Sequence, residues 1–145
     1  MIYTAMTKKA MKLAYEAHQG QRDKNGMPYI FHPMHLAEQM TDENATVCAL
    51  LHDVVEDTPY TLAGLENMGF PPEVIEALTL LTHDKSVPYM DYVRKIKTNR
   101  IASAVKLADL RHNSVLSRLD TVDDDALKRV EKYRRAMSIL TGDAP

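Results

Sequence analysis

Apolar residues recur at intervals of three and four along most of the chain, as they do at Ala10, Leu13, Ala14 and Ala17. This spacing puts apolar side chains on one face of an α-helix, and that face must be buried against another part of the protein. No stretch of alternating apolar and polar residues is bounded by the turn residues that join the strands of a β-hairpin. The pattern therefore predicts an all-α fold.

Pro, Gly and N-capping residues mark where the predicted helices begin and end. These helices span residues 4–18, 33–40, 61–67, 72–81, 89–97, 99–112 and 123–140, and a further helix runs from residue 45 through Val54 until Pro59 stops it. The length of 145 residues is that of one domain, which can bury roughly 70% of the surface of its unfolded chain. We predict a single compact bundle of about seven or eight helices over residues 1–145.

Charge and cysteine content exclude several classes of partner and site. The formal net charge of −2 gives no electrostatic footprint for a DNA or RNA duplex. No run of about 20 apolar residues is present to span a membrane, and no signal peptide is recognisable. The single cysteine, Cys48, excludes an intramolecular disulfide and a cysteine-rich zinc site, and we expect it in the core. We therefore expect a cytoplasmic protein with a small-molecule partner.

Two adjacent polar residues, His52 and Asp53, stand near the end of an otherwise apolar predicted helix. Buried polar groups need partners, and Glu56 and Asp57 follow within one helical turn. In one continuous helix these four groups would share a side, where three carboxylates at a helix C-terminus repel one another. A divalent cation would remove that repulsion. The alternative is a hydrogen-bonded buried histidine beside a capping aspartate.

A second polar cluster lies on the predicted helix 99–112 and just after it. Lys106, Asp109 and Asn113 are separated by three and four residues, so they fall on one helical face. The alternative is a polar stripe that faces solvent, because Lys and Asp at this spacing are common on exposed helices.

A third candidate region is the loop 19–31, which contains Gly26 together with Arg22 and Lys24. Glycine allows close approach of the backbone to a ligand, and the two cations can bind phosphate oxygens. His32 follows at a helix entrance, next to Pro33. The alternative is an ordinary surface loop. The dipeptide at His83 repeats the His-Asp pattern, but it precedes Pro88 in a predicted loop without further ligands, so we expect no metal site there.

Taken together, and in the order in which they stand in the chain, the three segments resemble the RelA/SpoT-type HD-domain hydrolases, particularly their small free-standing alarmone hydrolases. The likeness covers most of the chain. Residues 51–58 read Leu-His-Asp-Val-Val-Glu-Asp-Thr, and residues 106–113 contain the family's Lys-x-Ala-Asp followed by His-Asn. The loop reads His-Gln-Gly-Gln at 18–21 and Gly-Met-Pro-Tyr at 26–29, and then reaches His32.

This resemblance implies a helical HD-domain bundle and a role for each matching residue. The implied metal ligands are His32, His52, Asp53 and Asp109, the implied catalytic acids are Glu56 and Asp57, and the implied substrate contacts are Arg22, Lys24 and Asn113. A mixed nitrogen and oxygen donor set suits one divalent transition metal. The resemblance implies Mn²⁺, with Fe²⁺, Co²⁺ and Zn²⁺ as alternatives.

The implied reaction is removal of the 3′-pyrophosphate of guanosine 3′,5′-bis(diphosphate) or of a related nucleotide. Two alternatives are a phosphohydrolase that acts on another nucleotide and a nucleotide-binding regulatory module without turnover. Two positions depart from the family pattern: Asp23 stands where an arginine usually packs on guanine, and Arg111 follows Leu110 instead of preceding it. The first departure predicts weak selectivity for guanine. The sequence leaves the oligomeric state open, including a homo-oligomer.

Overall fold

The computed structural model describes residues 1–142, in which helices are joined by turns and loops. The helices are α1 (Ala5–Ala17), α2 (Phe31–Glu38), α3 (Glu43–Leu51), α4 (Val54–Asp57), α5 (Leu62–Asn67), α6 (Pro72–Leu81), α7 (Tyr89–Lys97), α8 (Arg100–Asn113) and α9 (Asp124–Thr141), and a 3₁₀ turn covers Leu116–Arg118. Within the described residues, extended backbone pairs only at an isolated bridge between Arg22 and Pro28. The all-α prediction is confirmed.

Helix α3 forms the centre of the bundle. All of its residues from Ala45 to Leu51 are buried, because apolar or small side chains point in every direction. It packs against α1, α2, α6 and α8. Burial of a leucine such as Leu50 contributes about 1.5–3 kcal/mol. His52, the residue that follows α3, is therefore also buried.

The predicted continuous helix through Val54 is wrong, because α3 ends at Leu51 and a separate single turn, α4, begins at Val54. Asp53 between them has φ −106° and ψ 0°, outside the helical region. Its carboxylate accepts a hydrogen bond from the Tyr29 hydroxyl and lies beside His52, and these contacts prevail over local helix propensity. The break explains why residues 1–142 contain one more α-helix than predicted.

Helix α2 begins at Phe31, two residues earlier than predicted, so Pro33 is its third residue. Proline is tolerated there because the backbone N–H groups of the first turn have no partner inside the helix. Gly20 ends the preceding turn with φ +83°, the left-handed conformation expected of it. His32 thus lies in the first turn of α2 and is buried.

Helix α9 packs across α7 and α8 and covers one end of the bundle. It begins at the N-cap Asp123, whose carboxylate accepts from the N–H of Ala126 at 2.8 Å. Most of its residues are polar or charged, and its buried residues are Ala126 and Ala136. Among residues 1–142, no helix is both long enough and apolar enough to cross a membrane.

Cys48 on α3 is fully buried, which confirms the prediction of a core residue. Its sulfur lies 3.7 Å from the carbonyl oxygen of Val74, to which the thiol donates. Burial, with a smaller contribution from Asp42, raises the pKa of Cys48 to about 12. The thiol is therefore a packing group and not a nucleophile.

Candidate metal centre and active site

Three buried side chains from separate helices bring their donor atoms within 4.8 Å of one another: His32, His52 and Asp109. His32 comes from the first turn of α2, His52 directly follows α3, and Asp109 lies on α8. His32 and Asp109 are buried because α2 and α8 pack against α3, and His52 is buried because it directly follows α3. The cluster is the point where the three elements meet.

Asp109 is the centre of this cluster. Its Oδ1 atom lies 2.8 Å from Nε2 of His32 and 3.7 Å from Nε2 of His52. The same Nε2 atom of His52 is 2.9 Å from Oδ2 of Asp53. The hydroxyl of Tyr29 holds the Asp53 carboxylate in this orientation. Three of the four metal ligands implied by the sequence therefore form one group, and the fourth, Asp53, lies beside His52.

One buried nitrogen in the cluster indicates that a cation belongs there. Nδ1 of His52 is 2.7 Å from the carbonyl oxygen of Ala49, which can only accept, so Nδ1 carries the proton. In a neutral ring Nε2 then presents a lone pair, and it is buried without any hydrogen bond of acceptable geometry. A lone pair directed at two carboxylates is unfavourable unless a cation lies between them. The residues therefore fit a divalent metal ion.

The charges of the site shift the pKa values of Asp109 and His52 in opposite directions. Burial raises the pKa of Asp109, but Lys106 and the neighbouring histidines outweigh it and hold that pKa well below its usual range. Burial lowers the pKa of His52, yet the carboxylates beside it hold the net value well above normal. Both shifts reflect the charge packed around these groups: without a metal a proton on His52 balances the carboxylates, and a bound cation would take the place of that proton, since a histidine ligand is neutral.

The polar face of α8 is confirmed by its contacts. Lys106 Nζ donates to Oδ2 of Asp109 at 2.9 Å, and Asn113 Nδ2 donates to Oδ1 at 3.0 Å. The side chains of Lys106 and Asp109 are only 14% and 9% exposed. The alternative of a solvent-facing stripe is therefore wrong, because both charges turn inward and pair with each other.

Glu56 opens onto a small cavity of about 130 Å³ beside His52 and Asp53. The backbone N–H of His83 donates to Oε1 of Glu56 and fixes its position. Burial, offset in part by that hydrogen bond and reinforced by Asp53, raises the pKa of Glu56. The cavity walls also include Lys106 and an aromatic pair. A carboxylate with a raised pKa in such a cavity is suited to accept a proton.

Asp57 does not line this cavity. Its backbone carbonyl accepts from Nε2 of Gln21 at 3.0 Å, which ties α4 to the loop after α1. Burial and the nearby Asp53 raise the pKa of Asp57. Because the helix breaks at Asp53, the expected alignment of four polar groups on one helical face does not occur. The catalytic role of Asp57 stays a prediction.

A second cavity, of about 310 Å³, lies beside the cluster, and its lining includes His32 and Asn113. Its charged and aromatic lining includes Arg22, Asp23, Lys24, Arg118, Arg129 and Tyr133. Four cations and one carboxylate give this wall a positive balance. All three substrate contacts implied by the sequence line it, and it suits a polyanionic ligand of nucleotide size.

Asp23 has a structural role in the loop that forms one edge of this cavity. Its Oδ1 accepts from the backbone N–H groups of Asn25 at 2.8 Å and Met27 at 3.1 Å. Its Oδ2 lies 3.8 Å from Nη2 of Arg118. The carboxylate therefore shapes the loop and offsets part of one cavity charge. Arg22 donates to the carbonyl of Gly26 at 2.7 Å, within the same loop.

Comparison with known proteins agrees with this geometry. The HD-domain family profile matches residues 10–138. The zebrafish protein named guanosine-3′,5′-bis(diphosphate) 3′-pyrophosphohydrolase MESH1 is 34% identical over 143 residues, an alignment that covers 90% of this chain and 79% of the relative. The chain belongs to the RelA/SpoT-type HD-domain family.

Other relatives of this HD-domain protein are much longer. Escherichia coli K12 SpoT, named a bifunctional (p)ppGpp synthase/hydrolase, is 32% identical over 139 residues, which cover 86% of this chain but 20% of SpoT. The chain thus spans about a fifth of the length of the SpoT proteins it matches. A solved structure described as a metazoan ortholog of SpoT that hydrolyses ppGpp superposes with a TM-score of 0.74 at 26% identity, covering 98% of this chain and 86% of the other.

Several residues of this HD-domain site were not singled out by sequence reasoning. Arg118, Arg129 and Tyr133 reach the larger cavity from the C-terminal part of the chain, which matches none of the three motifs. His83, at which we expected no metal site, holds Glu56 through its backbone N–H while its ring stacks on Tyr92. It belongs to no candidate metal group among residues 1–142.

His112, the histidine of the motif at residues 106–113, contacts His32 but is not one of the three clustered side chains. Its Nδ1 lies 2.7 Å from Nδ1 of His32, on the side of the ring away from Asp109. Burial and the nearby charge of Arg118 lower the pKa of His112 to about 4, so its ring is neutral at pH 7. The motif itself was a signal for this contact, because His112 follows Asp109 by three residues.

Proposed function

We propose that this chain is a metal-dependent pyrophosphohydrolase that removes the 3′-pyrophosphate of guanosine 3′,5′-bis(diphosphate) or of a related nucleotide. The observation that carries the proposal is the buried His32, His52 and Asp109 cluster, which lies between an acidic cavity and a cationic one. MESH1 is named for this reaction, and the solved structure is described as that of a protein that hydrolyses ppGpp. Both descriptions apply to relatives and lend support here through shared fold and motifs.

His32, His52, Asp53 and Asp109 would hold one divalent ion, for which we propose Mn²⁺ ahead of Fe²⁺, Co²⁺ and Zn²⁺. Two imidazoles and two carboxylates form a mixed donor set that favours such metals over a hard, oxygen-only site. When bound, the ion supplies Lewis acidity toward water and toward the phosphoryl oxygens. His52 donates a hydrogen bond to the Ala49 carbonyl, and the Tyr29 hydroxyl donates one to Asp53, and these bonds orient the two ligands next to the break after α3.

Glu56 would act as the general base. The backbone N–H of His83 holds one carboxylate oxygen, which leaves the other to take a proton from the attacking water. Burial raises the pKa of Glu56, which strengthens it as a proton acceptor. Asp57 would assist from the neighbouring position on α4.

The larger cavity would bind the nucleotide. Arg22, Lys24 and Asn113 would contact its phosphates, since cations and amide donors neutralise and orient phosphoryl oxygens. Asn113 already donates to Asp109, so a substrate contact at its side-chain oxygen would link substrate position to the metal ligand. We assign residues 1–145 to one HD domain. A cytoplasmic location remains a prediction, and the oligomeric state remains open.

A nucleotide turnover panel with metal analysis tests the proposal. Purified protein depleted of metal is reloaded with Mn²⁺ and incubated with guanosine 3′,5′-bis(diphosphate), its adenosine counterpart and common nucleoside phosphates. The expected products of the first are GDP and pyrophosphate, absent in the His52→Ala variant. Turnover of a different nucleotide alone would favour the other phosphohydrolase, and binding without turnover would favour a regulatory module.

A further inference from the structure

Two side chains of α8, Asp109 and His112, contact the two ring nitrogens of His32. Nε2 lies 2.8 Å from Oδ1 of Asp109, and Nδ1 lies 2.7 Å from Nδ1 of His112. The two imidazole rings are inclined by only 10°, with their centroids 5.0 Å apart. Because the nitrogens are far closer than the ring centres, the rings meet edge to edge and almost in one plane. This is the geometry of a direct N–H···N hydrogen bond.

The proton count of this contact fixes the role of each ring. One proton must lie between the two Nδ1 atoms, since two lone pairs or two N–H groups would repel. When Nε2 of His32 gives its lone pair to a metal, the proton of a neutral His32 ring stays on Nδ1. His112 must then accept that proton's hydrogen bond, with its own proton on Nε2. A metal-bound histidine commonly donates its second N–H to such a partner.

The surroundings of His112 keep its ring in place for this contact. His35, one turn after His32 on α2, stacks on the face of His112 with centroids 4.0 Å apart and an inclination of 26°. Arg118 donates to the backbone carbonyl of His112 at 2.8 Å. A neutral acceptor also adds no negative charge to a site that already holds several carboxylates.

We propose that His112 is a positioning residue that sets the tautomer and orientation of His32 for metal binding, an inference that rests on the metal site proposed above. His112 itself is not a ligand. It determines which nitrogen of His32 is free to bind. The proposal assigns the stacked His35 only a supporting role, because its ring contacts His112 and makes no hydrogen bond to His32.

Calorimetric titration of the metal-free protein with Mn²⁺ tests this role without measuring activity. His112→Phe keeps a ring for stacking but removes the acceptor, and we expect Mn²⁺ affinity to fall about 10- to 100-fold. His112→Asn places an oxygen acceptor at the position of Nδ1, and we expect it to restore most of the affinity. His35→Phe makes the same chemical change one ring further out and should bind like the wild type.

Thermal unfolding without metal separates positioning from general destabilisation. We expect similar melting temperatures for the metal-free His112→Phe and His35→Phe proteins. Wild-type affinity in His112→Phe, or an equal loss of affinity in His112→Asn and His112→Phe, would overturn the proposal. His52→Ala serves as the ligand control. If the wild type and His52→Ala bind Mn²⁺ equally, the proposed metal site itself fails, and a result confined to His112 leaves that site standing.

Discussion

The two cavities beside the histidine cluster differ in size, charge and origin. The smaller one, about 130 Å³, takes its walls from the break after α3, from the segment near His83 and from α8, and it carries Glu56 and Asp53. The larger one, about 310 Å³, takes its walls from the loop before α2 and from the C-terminal part of the chain, and it carries four cations. On the proposed assignment, this difference means that chemistry and ligand recognition are supplied by separate parts of the fold.

Loss of a shared ligand should remove both functions of the site at once. We predict that Asp109→Ala abolishes tight Mn²⁺ binding and lowers turnover more than about 100-fold, because even outer partners of a metal ligand are worth 10- to 100-fold. Metal analysis and turnover should be measured on the same preparation. Full metal occupancy in the variant would show that Asp109 is not a ligand.

A change confined to the smaller cavity should affect the rate and leave binding intact. We predict that Glu56→Gln keeps Mn²⁺ and lowers kcat about 100-fold, with KM nearly unchanged, since it retains shape but loses the proton acceptor. Asp57→Asn, outside the cavity lining, should lower kcat less. Equal effects of the two variants at saturating substrate would contradict the assignment of Glu56 as the base.

A change confined to the larger cavity should produce the opposite pattern. We predict that Arg129→Gln raises KM for the nucleotide about three- to tenfold and changes kcat little, because it removes one cation from a partly hydrated wall. Lys128→Gln removes the same charge from the adjacent, exposed position on α9 and should leave KM unchanged. Identical KM values for the two variants would separate Arg129 from substrate binding.

The net positive charge of the larger cavity can also be increased by removing its carboxylate. Asp23→Asn keeps an oxygen that can accept from the loop N–H groups but removes the carboxylate facing Arg118. We predict a two- to fourfold lower KM for a polyanionic nucleotide, the effect of about 0.5–1 kcal/mol that a partly exposed ion pair provides. A higher KM with an unchanged melting temperature would show that the carboxylate itself contacts the ligand.

The smallest effect should come from a site remote from both cavities. Asp42 caps α3 by accepting from the N–H of Ala45 at 2.8 Å, and we predict that Asp42→Ala lowers the free energy of unfolding by about 1 kcal/mol. Neither kcat nor KM should change. Asp91→Ala removes an exposed carboxylate that pairs with Arg94 and should change stability by less than about 0.5 kcal/mol. Chemical denaturation compares the two variants.

Local sequence signals predicted the elements and the motifs better than the junctions between them. Helical spacing gave the all-α fold, and the three motifs gave the residues that meet at His52. The break at Asp53 was not predictable from the apolar run around it, because it depends on the hydroxyl of Tyr29, which is distant in sequence. Tertiary contacts of this kind override local propensity.

The cationic wall shows a second limit. The chain has 18 lysines and arginines, and nothing local to Arg118 or Arg129 distinguishes the side chains that face the cavity from those that face solvent. Their placement depends on how α9 packs across α7 and α8. His112 could have been found, because a histidine one turn after Asp109 on the same helix face is positioned to contact the other proposed ligands.

The complete burial of α3 has a consequence for how this protein can evolve. Mutations that enlarge or shrink its side chains disturb the core and, through His52 at its end, the proposed metal centre in the same step. The loop around Lys24 and the residues near Arg118 lie outside this packed helix. New substrate preferences are therefore most accessible through changes in those two regions, which leave the histidine and carboxylate framework in place.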